Sequence, residues 1–301
     1  MSVLKETDYP NPPHIRRVNG GKKRKVRRKE SEDLDKEKLK ELAQDKRFIS
    51  GIYNYCDRWC ERCPQTSRCL NYAMAEEEFT DPETRDIRNE AFWIKLSETF
   101  KATLDLVKEM AASEGIDLDA LDPGGFVEKE RTLQETAENH EISRTARVYA
   151  DMADSWLEEA RAFFVGSEAT DPGFQSTPGN GEEPEKNALE NDLEVIRWYQ
   201  HQIYVKLARA ISGQMEEESE IDDEPAQYTK DSDGSAKVAL IGLDRSIAAW
   251  GIIDRRFPAF CSHDVPAILT HLERLRRSVE KVFPDARGFL RPGFDRIDLN
   301  G

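Results

Sequence analysis

The sequence predicts an all-α protein: a helical bundle of about five helices with a small N-terminal four-cysteine metal-binding module. Apolar residues recur at steps of three and four in several long segments, which is typical of amphipathic helices. No stretch of useful length alternates apolar and polar residues as a half-buried strand does. There is also no βαβ pattern and no glycine-rich phosphate loop, which argues against sheet-based nucleotide folds.

The chain opens with a basic arm, residues 1–33. Within residues 1–29, ten Lys and Arg residues stand against only Glu6 and Asp8, whereas the whole chain has a net charge of −15. A dense block of like charge repels itself, so the arm is expected to be disordered when free. Residues 16–29 would attract the phosphates of nucleic acid, and a nucleic-acid-associated factor is one functional alternative. That segment contains no aromatic residue for base stacking, so charge alone supports this alternative.

Residues 34–80 form the predicted metal module. Four of the five cysteines, Cys56, Cys60, Cys63 and Cys69, follow one another in the spacing C-x3-C-x2-C-P-x4-C. Four thiolates can complete a tetrahedral zinc site or the corners of a [4Fe–4S] cluster. Structural zinc sites usually join two separated short knuckles, whereas a single compact segment is typical of clusters. We therefore expect these four cysteines to hold a [4Fe–4S] cluster, with Zn²⁺ as the alternative.

Parts of this segment resemble known cluster-binding motifs. Cys56 to Cys63 is similar to the three-cysteine signature of radical S-adenosylmethionine enzymes, and Cys60 to Cys69 is similar to cluster segments of some nucleases. Those classes need a β/α barrel or a mixed sheet, which this sequence does not predict. The longer run from Phe48 to Pro64 resembles a group of uncharacterised bacterial proteins with an N-terminal C-x3-C-x2-C-x5-C motif. That resemblance implies no function.

Residues 84–283 form the predicted bundle, with loops at 166–186 and 214–235, and residues 284–301 form an irregular tail. Helices are predicted at Ile87 to Ala112, Val127 to Val165, Asn187 to Ser212, Lys237 to Asp254 and Val265 to Phe283. The first should bury one stripe: Trp93, Leu96, Phe100, Leu104, Val107 and Ala111. The third carries Trp198 and Val205 on its other side, so a second surface such as the cysteine module is expected to cover it. The fourth is the least polar and should occupy the centre of the bundle.

Three polar residues of the bundle are candidate functional groups. Asp244 lies within an apolar stripe, where a carboxylate needs either a basic partner on a neighbouring helix or a role as acid, base or ligand. Glu194 and His201 lie two turns apart on one helix face, without the Glu-x-x-His pairs of di-iron proteins. If these groups converge on a pocket beside the metal, the chain is a metalloenzyme. If each has a partner elsewhere, a binding or accessory role is favoured.

The leading interpretation is a metal-containing helical binding or accessory protein whose metal is chiefly structural and whose protein partner is unknown. No catalytic residue is predicted. No segment approaches the roughly 20 apolar residues that span a bilayer, and no early apolar stretch is long enough for a signal peptide. We therefore expect no membrane span and a cytoplasmic protein. In that reducing compartment clustered thiols are more often metal ligands than disulfides.

Overall fold

A computed structural model of the chain describes residues 36–120, 123–170, 182–219, 231–256 and 264–295. All regular structure in these residues is helical, which confirms the all-α class. The α-helices among them number nine rather than the predicted five. They are α1 (Lys36–Gln44), α2 (Leu70–Glu78), α3 (Pro82–Arg85), α4 (Glu90–Ser113), α5 (Pro123–Asn139), α6 (Glu141–Thr170), α7 (Glu182–Ser219), α8 (Asp231–Arg256) and α9 (Asp264–Val282). None of the described helices is long and apolar enough to cross a membrane.

The predicted helix from Val127 to Val165 is in fact two helices, α5 and α6, separated at His140. The backbone N–H of Ile142 donates to His140 Nδ1 over 3.3 Å. The first N–H groups of a helix have no partner within the helix. The His140 side chain accepts one of these N–H groups and so caps the start of α6. The apolar periodicity runs through the break, which is why spacing alone did not reveal it.

The core lies between α6, α7, α8 and α9. α8 occupies its centre, as its low polarity predicted, and thirteen of its residues are buried. Trp250 of α8 meets Trp156 of α6 edge to face, with ring centroids 4.9 Å apart, and its indole N–H donates to the Tyr149 hydroxyl. Gly242 lets α7 approach closely, because a Cβ atom there would lie 2.9 Å from Tyr199 Cδ1.

Helices extend into both predicted loops. α6 runs to Thr170 and α7 begins at Glu182, which narrows the loop expected at 166–186. α7 then continues to Ser219 and α8 begins at Asp231, inside the loop expected at 214–235. Glu217 explains part of this extension. Its carboxylate accepts hydrogen bonds from the backbone N–H and hydroxyl of Ser232, in the first turn of α8.

The apolar stripe predicted to face the core from α4 is largely exposed. Trp93, Phe100 and Leu104 each keep more than half of their surface accessible. α4 packs with another face, where Phe92 stacks on Phe79 and Lys95 pairs with Glu78 at 3.0 Å. The sequence of α4 carries apolar residues on two sides, and periodicity cannot tell which side is covered.

The described part of the predicted tail, residues 284–295, is irregular apart from a short 3-10 turn at Ala286–Gly288. It is nevertheless packed on the bundle. Ala286 and Phe289 are buried, and Lys237 of α8 pairs with Asp295 at 3.0 Å. The tail therefore forms one wall of the region in which the cysteine module sits. The basic arm, residues 1–33, lies outside the described residues.

Candidate functional site

The four cysteines of the module line one cavity. Cys56, Cys60, Cys63 and Cys69 all line one small cavity of about 20 Å³. Each is half-buried, and none forms a disulfide with another described cysteine. The rest of the lining is largely aromatic and aliphatic and includes Ile52, Tyr53, Trp59, Tyr72 and Phe294. The four cysteines of the motif therefore line the same cavity of the fold.

Short turns produce this convergence. The backbone N–H of Cys63 donates to the carbonyl of Cys60 at 3.2 Å, closing a 3-10 turn between these two thiols. A second turn, Thr66–Arg68, ends at Cys69 in the same way. Between Cys56 and Cys60, Arg58 has a φ of 57°, in the left-handed region that non-glycine residues seldom adopt. Such strained residues cluster at functional sites, where the surrounding structure holds them in place.

A zinc ion and an iron–sulfur cluster would place different demands on the four thiols. Among the described residues, no group of three or more His, Cys, Asp or Glu side chains is arranged to hold one metal ion. A zinc site needs every sulfur about 2.3 Å from one centre. In a [4Fe–4S] cluster each cysteine binds a different iron, so the sulfurs stand further apart around a larger guest. Metal binding itself, and the choice between the two centres, stay predictions.

Electrostatics within the cavity favours neutral thiols when no cation is present. Burial raises the pKa of the Cys60 thiol, and negative charge on Cys56, Cys63 and Cys69 would raise it further. Burial also raises the pKa of Cys63, although a hydrogen bond from the backbone N–H of Gln65 opposes this effect. A metal centre would replace these protons and remove the repulsion between thiolates.

A buried lysine lies beside the thiols. Lys206 of α7 is 7% exposed, and its Nζ donates to the carbonyl of Asn54 at 3.3 Å. Burial lowers the pKa of Lys206, while the nearby Cys56 opposes that shift. Its positive charge would partly offset the negative charge of a four-thiolate centre.

Asp57, between Cys56 and Arg58, anchors the module to the bundle. Its backbone carbonyl accepts from Trp198 Nε1 at 2.9 Å, and its carboxylate accepts from the Tyr199 hydroxyl at 2.5 Å and from Arg245 Nη1 at 2.8 Å. Burial, and then the bond to Asp57, raise the pKa of Tyr199, so its hydroxyl stays a donor. Helices α7 and α8 therefore both hold the loop that carries the first two cysteines.

Aromatic contacts extend this attachment. Trp59 stacks on Trp198 with ring centroids 5.0 Å apart, and the Arg62 guanidinium lies 4.0 Å above the Trp59 ring. The module covers the Trp198 side of α7, as predicted, whereas Val205 is 57% exposed. Tyr55 donates to Asp231 at 2.7 Å at the start of α8. Burial, together with the Asp231 carboxylate, raises the pKa of Tyr55 to about 12.

A second, larger cavity of about 480 Å³ lies between the module, α7, α8 and the tail. It shares Asp57, Trp59, Cys63 and Phe294 with the cysteine cavity. Its further lining residues are Arg62, Pro64, Asp192, Val195, Arg245, Ala248, Ala249, Ile252 and Arg291. We call it the interface cavity.

The three polar candidates of the bundle do not line the interface cavity. Asp244 pairs with Arg276 of α9 at 3.4 Å and with Arg287 of the tail. It therefore has the basic partner that a carboxylate in an apolar stripe needs. Glu194 pairs with Arg62 of the module, and His201 lies 3.7 Å from Asp154. Each thus has its own partner. Cys261 and residues 16–29 lie outside the described residues, so the nucleic-acid alternative stays a prediction.

Sequence reasoning missed the charged residues that do line the interface cavity. Asp192 sits in the apolar stripe formed by Leu189, Leu193 and Ile196 of α7, and the criterion applied to Asp244 would have found it. Arg291 carried no such signal, because its position depends on how the tail returns to the bundle.

Comparison with protein family models, with curated proteins and with solved structures finds no match to this chain. The function is therefore inferred from the cysteine cavity and its surroundings alone.

Proposed function

We propose that this chain is a helical binding or accessory protein of the cytoplasm that holds a [4Fe–4S] cluster, or alternatively Zn²⁺, through Cys56, Cys60, Cys63 and Cys69. One observation carries the proposal: four thiols from a single continuous segment line the same cavity. Thiolates are soft ligands suited to both centres. The compact spacing of the four cysteines within one short segment of the sequence favours the cluster.

The surroundings of the cavity suit a cluster. Ile52 and Trp59 are buried, and with Phe294 they wall the thiols with apolar surface. An apolar shell of this kind limits water access and tunes the centre within it. Lys206 supplies one buried positive charge close to Cys56.

The metal would have a structural role in this proposal. The cysteine loop also carries Asp57 and Trp59, which both contact Trp198 of α7. Four metal–thiolate bonds would fix the strained loop at Arg58, and so present these contacts to the bundle. The partner that such an accessory protein serves is a protein of unknown identity.

Anaerobic purification of the full-length chain tests the proposal. We expect about four iron and four sulfide per chain, and broad absorption near roughly 400 nm from thiolate-ligated iron. Cys60→Ser should lose most of both signals, whereas Cys261→Ser, the lone cysteine outside the motif, should keep them. Stoichiometric zinc without iron would show that the four cysteines hold the alternative metal, Zn²⁺, and not a cluster. Neither metal, with unchanged unfolding of Cys60→Ser, would refute the proposal.

A metalloenzyme is the second candidate, favoured by the wall that the two cavities share. Cys63 and Trp59 line both, so a molecule in the interface cavity would lie next to the metal centre. The electron paramagnetic resonance spectrum of the reduced cluster tests this candidate. A spectrum that changes when a small molecule fills the interface cavity supports it, and an unchanged spectrum supports the accessory role.

A further inference from the structure

The interface cavity has the dimensions of a small-molecule site. Its volume of about 480 Å³ lies within the roughly 300–1,000 Å³ that is usual for ligand pockets. Its walls combine apolar surface from Trp59, Val195, Ile252 and Phe294 with a few charged groups. Such a mixture is typical of sites that bury a ligand body and orient it through a few polar contacts.

The three arginines of the wall are each paired with an acid of this chain. Arg62 pairs with Glu194, and its Nη1 also donates to Asn191 at 2.8 Å. Arg245 pairs with Asp57 at 2.8 Å. Arg291 donates through Nε and Nη2 to both oxygens of Asp295, each at 2.9 Å. Because these guanidinium charges are compensated, they do not make the cavity a strong anion site.

Asp192 differs from these residues. It is 7% exposed, and none of the described Lys or Arg side chains forms an ion pair with it. Its hydrogen-bond partner is the side chain of its neighbour Asn191, and Arg256 acts on it only through longer-range attraction. Burying a carboxylate without a paired cation is costly, so Asp192 is the charged group of the cavity wall that would gain most from a cationic ligand.

We propose that the interface cavity binds a small organic ammonium ion with an apolar body, whose N–H groups donate to the Asp192 carboxylate. The apolar wall would cover the body of the ligand, and the ammonium group would supply the charge that Asp192 lacks. The net charge of −15 on the chain also raises the local concentration of cations. The binding site requires the folded module but no particular metal, so it stands if the cysteines prove to hold zinc rather than a cluster.

Three probes of one shape test the charge selectivity: benzylamine, benzyl alcohol and benzoate. We expect isothermal titration of the full-length protein at pH 7 to show benzylamine binding with a Kd on the order of 1 mM, as befits a fragment. Benzyl alcohol should bind at least about 10-fold more weakly, and benzoate more weakly still.

Variants locate the binding. Asp192→Asn should weaken benzylamine by about 10-fold or more, whereas Asp151→Asn, on the exposed side of α6, should leave it unchanged. Ala248→Leu adds bulk at an exposed position of the cavity wall, so it should block binding without disturbing the core. Circular dichroism establishes that each variant is folded.

Three results would overturn the proposal. The first is benzylamine binding that survives Asp192→Asn. The second is a preference for benzoate that is lost in Arg245→Gln, which would make the cavity an anion site. The third is a wild-type protein that binds none of the three probes when each is present at a concentration roughly tenfold above the Kd expected for benzylamine.

Discussion

At the scale of single residues, Asp192 and Gly234 show how much local chemistry the contact between module and bundle requires. Asp192 is a carboxylate almost removed from water without a basic partner at ion-pair distance among the described residues. Gly234 of α8 has no side chain where the Tyr55 ring of the module packs against the helix. At each of these two positions we expect a substitution to change the stability of the fold in the direction opposite to its usual effect.

Replacing Asp192 with Asn should stabilise the ligand-free protein at neutral pH. Burial raises the pKa of Asp192 above its ordinary value of 3.8, so the folded chain holds this proton at a pH where the unfolded chain has released it. The carboxyl therefore costs stability as pH rises above that value. We expect Asp192→Asn to raise the Tm at pH 7 by about 2–4 °C, on the order of 1 kcal/mol, and by less at pH 4. Differential scanning calorimetry at both values, with Asp151→Asn as control, measures this; an equal gain at both would contradict it.

Gly234→Ala should destabilise the fold, although Gly→Ala within a helix normally stabilises by roughly 0.5–1 kcal/mol. A Cβ atom at this position would lie 2.3 Å from Tyr55 Cε1 and 2.8 Å from Phe289, so the Tyr55 ring must move and lose its bond to Asp231. Overpacking of this kind costs about 1–3 kcal/mol.

The matched control lies in the same helix. A Cβ atom at Gly251 would approach only the flexible end of Arg255, at 3.5 Å. Gly251→Ala should therefore be neutral or stabilising in a denaturant titration. If Gly234→Ala shifted the midpoint upward as well, Tyr55 would not pack as described.

At the scale of secondary-structure elements, α7 is the helix on which both parts of the molecule depend. Ile196, Ile203 and Leu207 on one face are buried in the bundle core. Trp198 and Lys206 on the other face contact the module. The helix thus separates two sets of contacts that substitutions can test independently.

Trp198→Ala should loosen the module while the bundle core stays intact. The substitution removes the stacking on Trp59 and the hydrogen bond to the Asp57 carbonyl. Because Trp198 is only half-buried, we expect a loss of about 2 kcal/mol, below the 3–5 kcal/mol of a fully buried Trp.

Hydrogen exchange read out by mass spectrometry checks this. Amides of residues 48–72 should exchange faster in Trp198→Ala, with α8 unchanged. The exposed Val205→Ala on the same helix should shift neither region. Equal loss of protection in the module and in α8 would show that the two unfold as one unit.

The elements also show what the sequence could predict. The centre of the bundle, α8, followed from its low polarity, and the double role of α7 followed from apolar residues on two sides. α4 also carries apolar residues on two sides, and the stripe predicted to be buried is the exposed one, because periodicity identifies an apolar face but not what covers it. The break at His140 depends on one side-chain hydrogen bond, which leaves no trace in the apolar spacing.

For the site, the spacing placed the four cysteines in one short segment, and local turns bring them to the lining of one cavity. That they share a metal stays a prediction. The interface cavity is different, since its walls come from the module, two helices and the tail. Asp192 could have been found as a charge in an apolar stripe. Arg245 and Arg291 are set by packing between distant segments, which one sequence does not reveal.

At the scale of the whole molecule, the tail joins the bundle and the module. Phe294 lines both cavities, and Arg291 pairs with Asp295, which also pairs with Lys237 of α8. Burial opposes ionisation of Asp295, but the bonds from Arg291 and Lys237 outweigh it and hold its pKa below the ordinary value. This carboxylate therefore stabilises the folded chain above pH 3.8, and that contribution is lost as pH falls below it.

Removal of the metal should unfold the module before the bundle. The described core of α6 to α9 is built without the thiols, whereas the module contributes only Trp59 to that cluster of buried residues. Iron chelation of the anaerobic protein should therefore abolish protection of residues 48–72 in hydrogen exchange while α8 and α9 keep theirs.

The raised pKa values of Cys60 and Cys63 mean that protons compete with the metal, so metal loss should be faster at pH 6 than at pH 8. Cys60→Ser, never loaded, should already show the chelated pattern, and its exchange should not respond to the chelator. Unchanged protection of the module after complete metal loss would show that the contacts of Asp57 and Trp59 hold the loop without metal, and the structural role proposed for the cluster would then be wrong.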